Sequence, residues 1–485
     1  MNIPKTMSTQ HPDNVHVPFF AEDSVLGGED EIQEAFYAYS HLNCHEQMWD
    51  FEGKEVDNFV VKKLLSKNEI FFKKNKLGQD LRLTFRVPNP EVEKAEAKIL
   101  LETLESIPRS FDAAKLFYKQ DIAPVFEVIL PMSKNAEELN RIYYYYKDMV
   151  AGKQQRNLNG NDMTIAEWIG EFKPETINVI PLFEDKEDLL RAHEVVKKFL
   201  KGKHMSYQRV FLARSDPAVN YGSLSAVLLN KIALQRLQKT SKELGIPLYP
   251  ILGAGSAPFR GNLRPQTVER MILGYPSVHT YTIQSSFKFD HQPEDVRKAI
   301  EHINNHESGE AIEIDEPRAL EIIERYSAEY RKQVKKLASV INKISPFVPK
   351  RRKRKLHIGL FGYSRDMDGI RLPRAITFTA ALYSIGIPPE LLGLNAITPE
   401  DKSFINSVYT NFEYDLRDPL RYTNIRSPFM PPEVEQSIRP LMEHTESDAY
   451  HAQLIHLMCK GLQENVHDEL KTQILEAARI RGYLG

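Results

Sequence analysis

The sequence predicts an α/β fold: a helix-rich, closed (β/α)8 barrel with appended helices. Three observations predict it. Short apolar, β-branched runs recur along the chain, as in strands buried on both faces. Amphipathic helical patterns fall between them, the alternation that parallel strands joined by crossover helices require. Carboxylates, arginines and a glutamine close one run after another, and a TIM-type barrel collects its chemistry at the C-terminal ends of its strands. A doubly wound open sheet is the alternative architecture.

The strand runs are 79–87 (QDLRLTFRV), 124–131 (PVFEVILP), 177–184 (INVIPLFE), 208–215 (QRVFLARS), 246–253 (IPLYPILG), 279–286 (HTYTIQSS) and 355–362 (KLHIGLFG). A strand in the N-terminal segment would make eight. Helical spacing covers 90–106, opened by Pro90 and early acidic residues, an N-terminal signal. It also covers 185–201 and 222–244, which end near Gly202 and Gly245, as helix C-termini do. The stretches 292–345 and 431–482 read as appended helices. The expected organisation is one barrel domain over 1–485 with a helical extension from about 430 to 485.

Composition narrows the function classes. The 485 residues are 42% hydrophobic and 27% charged, with a formal net charge of -2. No overall positive field draws the chain to nucleic acid or an anionic membrane. An acidic small substrate has to be attracted by locally placed arginines. Cys44 and Cys459 stand far apart and form neither metal-ligand spacing nor a disulfide framework. The opening MNIPKTMSTQHPDN lacks the apolar core of a signal peptide, and no run approaches the ~18 apolar residues of a membrane span. A cytoplasmic protein is expected.

At the strand ends stand Arg82 and Arg86, Glu127 within its run, Glu184, then Arg214 and Asp216 in LARSDP. The loop GAGSAPFRG carries Arg260; Gln284, Lys288 and Arg365 follow later runs. Two carboxylates with room for water suit Mg²⁺, which prefers oxygen and keeps part of its hydration shell. Arginine forks suit phosphate and carboxylate together. The set points to a small, multiply anionic phosphate ester held on Mg²⁺, although any single strand-end acid, Glu184-Asp185 above all, also reads as a helix cap. His11, in TQHPDN, is either structural or a general base suited to neutral pH.

TQHPDN, VIPLFEDKEDL, ARSDPAVNYG, LGAGSAPFRGNL and QSSFKF resemble, in order and from end to end, the motif series of the phosphoenolpyruvate carboxylases. The short length and the MSTQHPDN start are similar to the archaeal type. The resemblance implies carboxylation of phosphoenolpyruvate with bicarbonate to oxaloacetate and phosphate, through carboxyphosphate and the enolate of pyruvate. It implies His11 as the catalytic base and Glu184 and Asp216 as ligands of Mg²⁺ (or Mn²⁺). Arg82, Arg260 and Arg374 become the arginines that stabilise the phosphoryl group. Arg214, Arg365, Gln284 and Lys288 become substrate-binding residues. The family also implies a homotetramer. The larger members have two arginines in the glycine loop; here one is replaced by a small residue, and its work falls to Arg214 or to another group. A Mg²⁺-dependent barrel lyase or aldolase acting on pyruvate or oxaloacetate is the alternative activity.

Other features carry plainer readings. The basic run Lys350–Lys355 is a nucleic-acid patch only if the rest of the surface joins it. Tyr143–Tyr146 read as packing. The carboxylate-rich segment 45–59 around Trp49 reads either as a lid near the site or as a solvated helix face. His444, His451 and His456 read as helix-face residues.

Overall fold

The computed structural model describes residues 3–52, 56–94, 97–160, 163–353, 365–367, 369–443 and 445–485. Eight parallel strands close into a barrel: β1 (Thr6–Ser8), β2 (Glu46–Asp50), β3 (Arg82–Arg86), β4 (Glu127–Leu130), β5 (Asn178–Phe183), β6 (Gln208–Ala213), β7 (Leu248–Gly253) and β8 (Thr280–Ile283). Each strand pairs with the next, and β8 returns to β1 with Met7 opposite Thr282.

Six of the seven predicted runs are barrel strands, and the N-terminal segment supplies another. The remaining strand is β2, inside the segment 45–59. That segment is therefore no solvated helix face where it is described, because Glu46 to Asp50 are all buried. The run 355–362 lies outside the described residues.

Alternation along the strands separates two cores. Trp49, Leu83, Phe85, Val128, Val179, Phe183, Val210, Leu212, Tyr281 and Ile283 face outward into the main core under the helices. Met7, Met48, Ile129, Ile180, Leu182, Phe211, Ala213 and Ile251 form a separate cluster, the apolar middle of the barrel, as side-chain period two dictates.

Below that apolar layer, at the N-terminal end, the barrel is ionic. Arg209 grips Glu46 with both nitrogens at 2.7 and 2.6 Å and reaches Glu127 at 3.1 Å. Arg82 donates to Glu127 at 2.7 Å and lies over the rings of Phe126 and Tyr207. These charges are almost wholly buried. Buried ions persist only when each is paired and hydrogen-bonded, and this layer meets that condition.

The helices follow their caps. Lys186–Leu200 starts where the Asp185 side chain accepts the Glu187 amide, so Asp185 is a cap and the neighbouring Glu184 is left for other work. Ser223–Leu244 ends at Gly245 in the left-handed conformation. The predicted helix 90–106 is displaced. Residues 89–93 turn around Asn89, whose carbonyl accepts the amides of Val92 and Glu93. The helix Ala97–Tyr118 then runs through Pro108. The C-terminal stretch is three helices, Pro432–Met442, Ala449–Glu464 and Leu470–Arg481. Among the described residues no single helix is long and apolar enough to cross a membrane.

Candidate active site

The C-terminal end of the barrel carries two groups of charged side chains. The first spans β2, β3 and β5. Asp50 closes β2 and takes both the Nε and Nη2 of Arg86, the last residue of β3, at 2.8 and 2.7 Å. Glu52, just beyond, is 3.2 Å from the same Nη2. Glu184 follows β5 and is buried. Burial works against the charge of Arg86, but Asp50, Glu52 and Glu184 together hold it above the usual guanidinium range. Arg374, at the start of the helix Ala375–Ser384, is drawn below that range by burial, while Glu52, Asp50 and Glu184 oppose the shift. Five residues from four separate segments thus share one electrostatic neighbourhood.

Within it Glu52 stands apart. It is 3% exposed, and its Oε1 has no hydrogen-bond partner among the described residues. Burial pushes its carboxyl up to about 7; Arg86 pulls the other way and Asp50 adds to the rise.

The second group joins the loops after β1, β6, β7 and β8. Arg260, fully buried in the glycine loop, donates to Asp13 at 3.1 Å, to the carbonyl of Gly485 at 2.7 Å, to Ser215 at 3.3 Å and to Gln284. Gly255 makes room for it, since a Cβ there would sit 2.7 Å from the Arg260 Cζ. Asp13 also accepts the amides of Ser286 at 2.7 Å and Ser256 at 3.3 Å. One carboxylate therefore ties three loops together. His11 precedes it, with Nδ1 2.9 Å from the Thr9 hydroxyl. Asp216 lies half-buried in the first turn of the helix Ser215–Tyr221, directly after the Ser215 that holds Arg260.

The structure brings His11, Glu184, Asp216, Arg260, Gln284 and Arg374 to this end of the barrel. Of the other sequence candidates, Arg82 lies at the opposite end, while Arg214 and Lys288 stand by the same strand ends but are engaged by other protein groups. Arg82 opens β3 whereas Arg86 ends it, so four residues, roughly 13 Å of strand, separate them. Arg82 belongs to the N-terminal ionic layer, and Arg86 is the β3 arginine at the chemical end. Arg214 follows the inward Ala213, so strand alternation turns it outward. It donates to the Phe259 carbonyl and the Ser223 hydroxyl, both at 3.3 Å. There it lines a cavity with Lys231, Asn262, Tyr275, Tyr409 and Asp415, which does not fit it for the missing loop arginine's work.

Lys288 spends its three protons on Ser8, the Thr9 carbonyl and Glu34, at 3.0, 2.9 and 2.8 Å. An ammonium has three donors, so none remains for substrate. Arg365 lies on β9 (Arg365–Met367), paired with β10 (Ile370–Leu372); its side chain falls outside the described residues.

The remaining features resolve as structure. Two members of the basic run are buried. Arg351 donates to the carbonyls of Asn14 and Val15, and Arg352 takes both oxygens of Glu34 at 2.6 and 2.7 Å. They clamp the segment after β1 and do not form a solvent-facing patch. Tyr146 is packed, with its hydroxyl on the Pro174 carbonyl. His451 lies on the buried face of the helix Ala449–Glu464, against Arg481 at 2.8 Å, and burial pushes it down to about 2. His444 lies outside the described residues.

A divalent cation fits Glu184 and Asp216 by the chemistry of the donors. Both offer carboxylate oxygens after neighbouring strands, β5 and β6. Among the described residues no group of three or more His, Cys, Asp or Glu forms a closed metal cage. Two protein carboxylates with water and substrate oxygens completing the shell is the pattern of Mg²⁺.

The family model described as phosphoenolpyruvate carboxylase matches residues 3–485. The chain belongs to the phosphoenolpyruvate carboxylase family. It is 57% identical to the phosphoenolpyruvate carboxylase of Methanothermobacter thermautotrophicus over 485 residues, with 100% of both chains covered. It is 55% identical to that of Methanospirillum hungatei and 50% identical to that of Pyrococcus furiosus, again with 100% of both chains covered. Within this family the strand-end carboxylates and arginines acquire a substrate class: small acids that carry phosphate and carboxylate on one carbon skeleton.

Proposed function

We infer that the protein carboxylates phosphoenolpyruvate with bicarbonate to give oxaloacetate and phosphate, as a carboxy-lyase of the cytoplasm. The observation that carries this reading is the presence of Arg86, Arg260 and Arg374 together with two carboxylates, Glu184 and Asp216, at one barrel end. A guanidinium fork suits phosphate and carboxylate alike, and substrate oxygens would compete there with Asp50 for Arg86 and with Asp13 for Arg260. Mg²⁺, with Mn²⁺ as a substitute, is the cation Glu184 and Asp216 would hold, and bound there it supplies positive charge for the oxygens of the ester.

The first step is attack of a bicarbonate oxygen on phosphorus. The bond from phosphorus to the enol oxygen breaks, leaving carboxyphosphate and the enolate of pyruvate. Arg86, Arg260 and Arg374 stabilise the charge on the transferring phosphoryl group. His11 accepts the proton that bicarbonate brought, and carboxyphosphate separates into CO₂ and phosphate. The methylene carbon of the enolate then attacks CO₂ and forms the new carbon–carbon bond. Asp13 and Asp50 act through their neighbours: Asp13 fixes Arg260, and Asp50 fixes Arg86. Both intermediates are destroyed by water or protons, so the site has to exclude them. We read the assembly as a homotetramer, and sedimentation velocity would test that.

The deciding experiment couples oxaloacetate formation to malate dehydrogenase, with phosphoenolpyruvate and Mg²⁺, with and without bicarbonate. Oxaloacetate formed only when both bicarbonate and metal are present is the expected result. Phosphate release without oxaloacetate would remove the carboxylation half of the reading. No turnover at all would remove the activity and leave ancestry only.

A further inference from the structure

Glu390 lies 131 residues beyond Phe259 in sequence, yet its Oε1 accepts the Phe259 amide at 2.6 Å and the Tyr383 hydroxyl at 2.8 Å. The carboxyl is 2% exposed, and its Oε2 has no hydrogen-bond partner among the described residues. A buried backbone N–H needs an acceptor, but a neutral carbonyl would satisfy it. A carboxyl taken out of water with one oxygen unpaired is an expensive choice, so the packing alone does not explain it.

The atom it holds is well placed to matter. Phe259 is the middle residue of the turn Pro258–Arg260. That turn is closed on itself, with the Arg260 amide on the Ala257 carbonyl at 2.9 Å and the Gly255 amide on the Arg260 carbonyl at 2.8 Å. A shift of the Phe259 amide is therefore passed to Arg260. The brace continues behind it, where Tyr383 meets Tyr483 edge to face at 5.7 Å. Tyr483 belongs to the segment that ends at Gly485, whose carbonyl accepts from Arg260.

We propose that Glu390 is a positioning residue for the glycine loop. Its carboxyl, braced by Tyr383, fixes the Phe259 amide and so aims Arg260 toward substrate. The inference rests on reading Arg260 as an arginine that meets substrate. Burial pushes the Glu390 carboxyl up to about 7, with the Tyr383 and Phe259 hydrogen bonds pulling against it. A neutral amide of the same shape is thus the conservative replacement.

The test compares Glu390→Ala and Glu390→Gln in the full chain, by initial rates and by deuterium exchange of the loop peptide spanning 253–263. Glu390→Ala should lose at least about tenfold in kcat with little change in KM, the mark of an interaction felt in the transition state, and its loop should exchange faster. Glu390→Gln should restore kcat to within about threefold. Parental kcat and parental loop exchange in Glu390→Ala would overturn the proposal. So would equal loss of rate and melting temperature in both variants, since that describes a core residue only. Arg260→Lys, assayed alongside, separates the two readings. If it keeps full activity, the reading of Arg260 falls, while faster loop exchange in Glu390→Ala still upholds the anchoring of the loop.

Discussion

The two ends of the barrel are built from the same residue types and differ in charge balance. At the N-terminal end the two arginines Arg209 and Arg82 balance the two carboxylates Glu46 and Glu127, although the Arg209 Nε has no hydrogen-bond partner among the described residues. At the C-terminal end Arg86 is held by Asp50 and approached by Glu52, but Glu52 keeps an oxygen without a partner and a carboxyl displaced to about 7. A charge-balanced ion layer fixes the barrel's geometry and keeps little to offer a ligand. An incompletely neutralised one holds charge and hydrogen-bonding capacity for something that arrives. The comparison teaches that charge content alone does not mark the chemical end of a barrel.

That contrast can be broken from either side. Arg209→Met should cost about 3–5 kcal/mol of stability, because it leaves Glu46 as an uncompensated buried charge and takes from Glu127 one of its two arginines. Urea unfolding measures it, and the folded fraction should retain its affinity for phosphoenolpyruvate. Arg86→Gln should show itself in turnover, with kcat/KM falling by about 10²-fold or more, near 3 kcal/mol. If Arg82→Gln abolished turnover by direct loss of substrate contact while Arg86→Gln did not, the two ends would have been assigned the wrong way round.

Glu52→Gln sharpens the comparison through pH. The folded protein holds the Glu52 proton more tightly than the unfolded chain does. Its stabilising contribution is full below the ordinary carboxyl range and is lost as pH rises to about 7. The parent should therefore lose about 3 kcal/mol across that window relative to Glu52→Gln. Parallel stability curves for the two proteins would show that Glu52 is not the displaced group. The smallest effect is expected at Asp216→Asn, which should raise the Mg²⁺ concentration for half-maximal rate about tenfold, or ~1.4 kcal/mol. An unchanged titration would strike Asp216 from the ligand set.

The same comparison explains which residues were legible in advance. The apolar strands were, since hydrophobic runs between helical patterns have few other uses. β2 was not, because Glu46 and Asp50 point into the barrel and give a strand the polar look of a helix face. Arg82 and Arg86 are four apart, so both face inward, and parity cannot tell which end each serves until the strand's bounds are known. Arg214 was readable in principle, because its odd step from Ala213 turns it outward. Lys288 and Arg352 were hidden for a different reason: both find Glu34, more than 250 residues away in sequence. Asp13 sat unremarked beside His11, and only the meeting of three loops reveals its work.

Alone, the sequence determined the barrel class, its helical dress, the motif order and the family, because periodicity and local signals are properties of neighbouring residues. Tertiary structure decided which charges neutralise one another and which are left to act. Pairing depends on distance across the barrel, and distance across a barrel is set by closure of the sheet, to which residues far apart in the chain contribute equally.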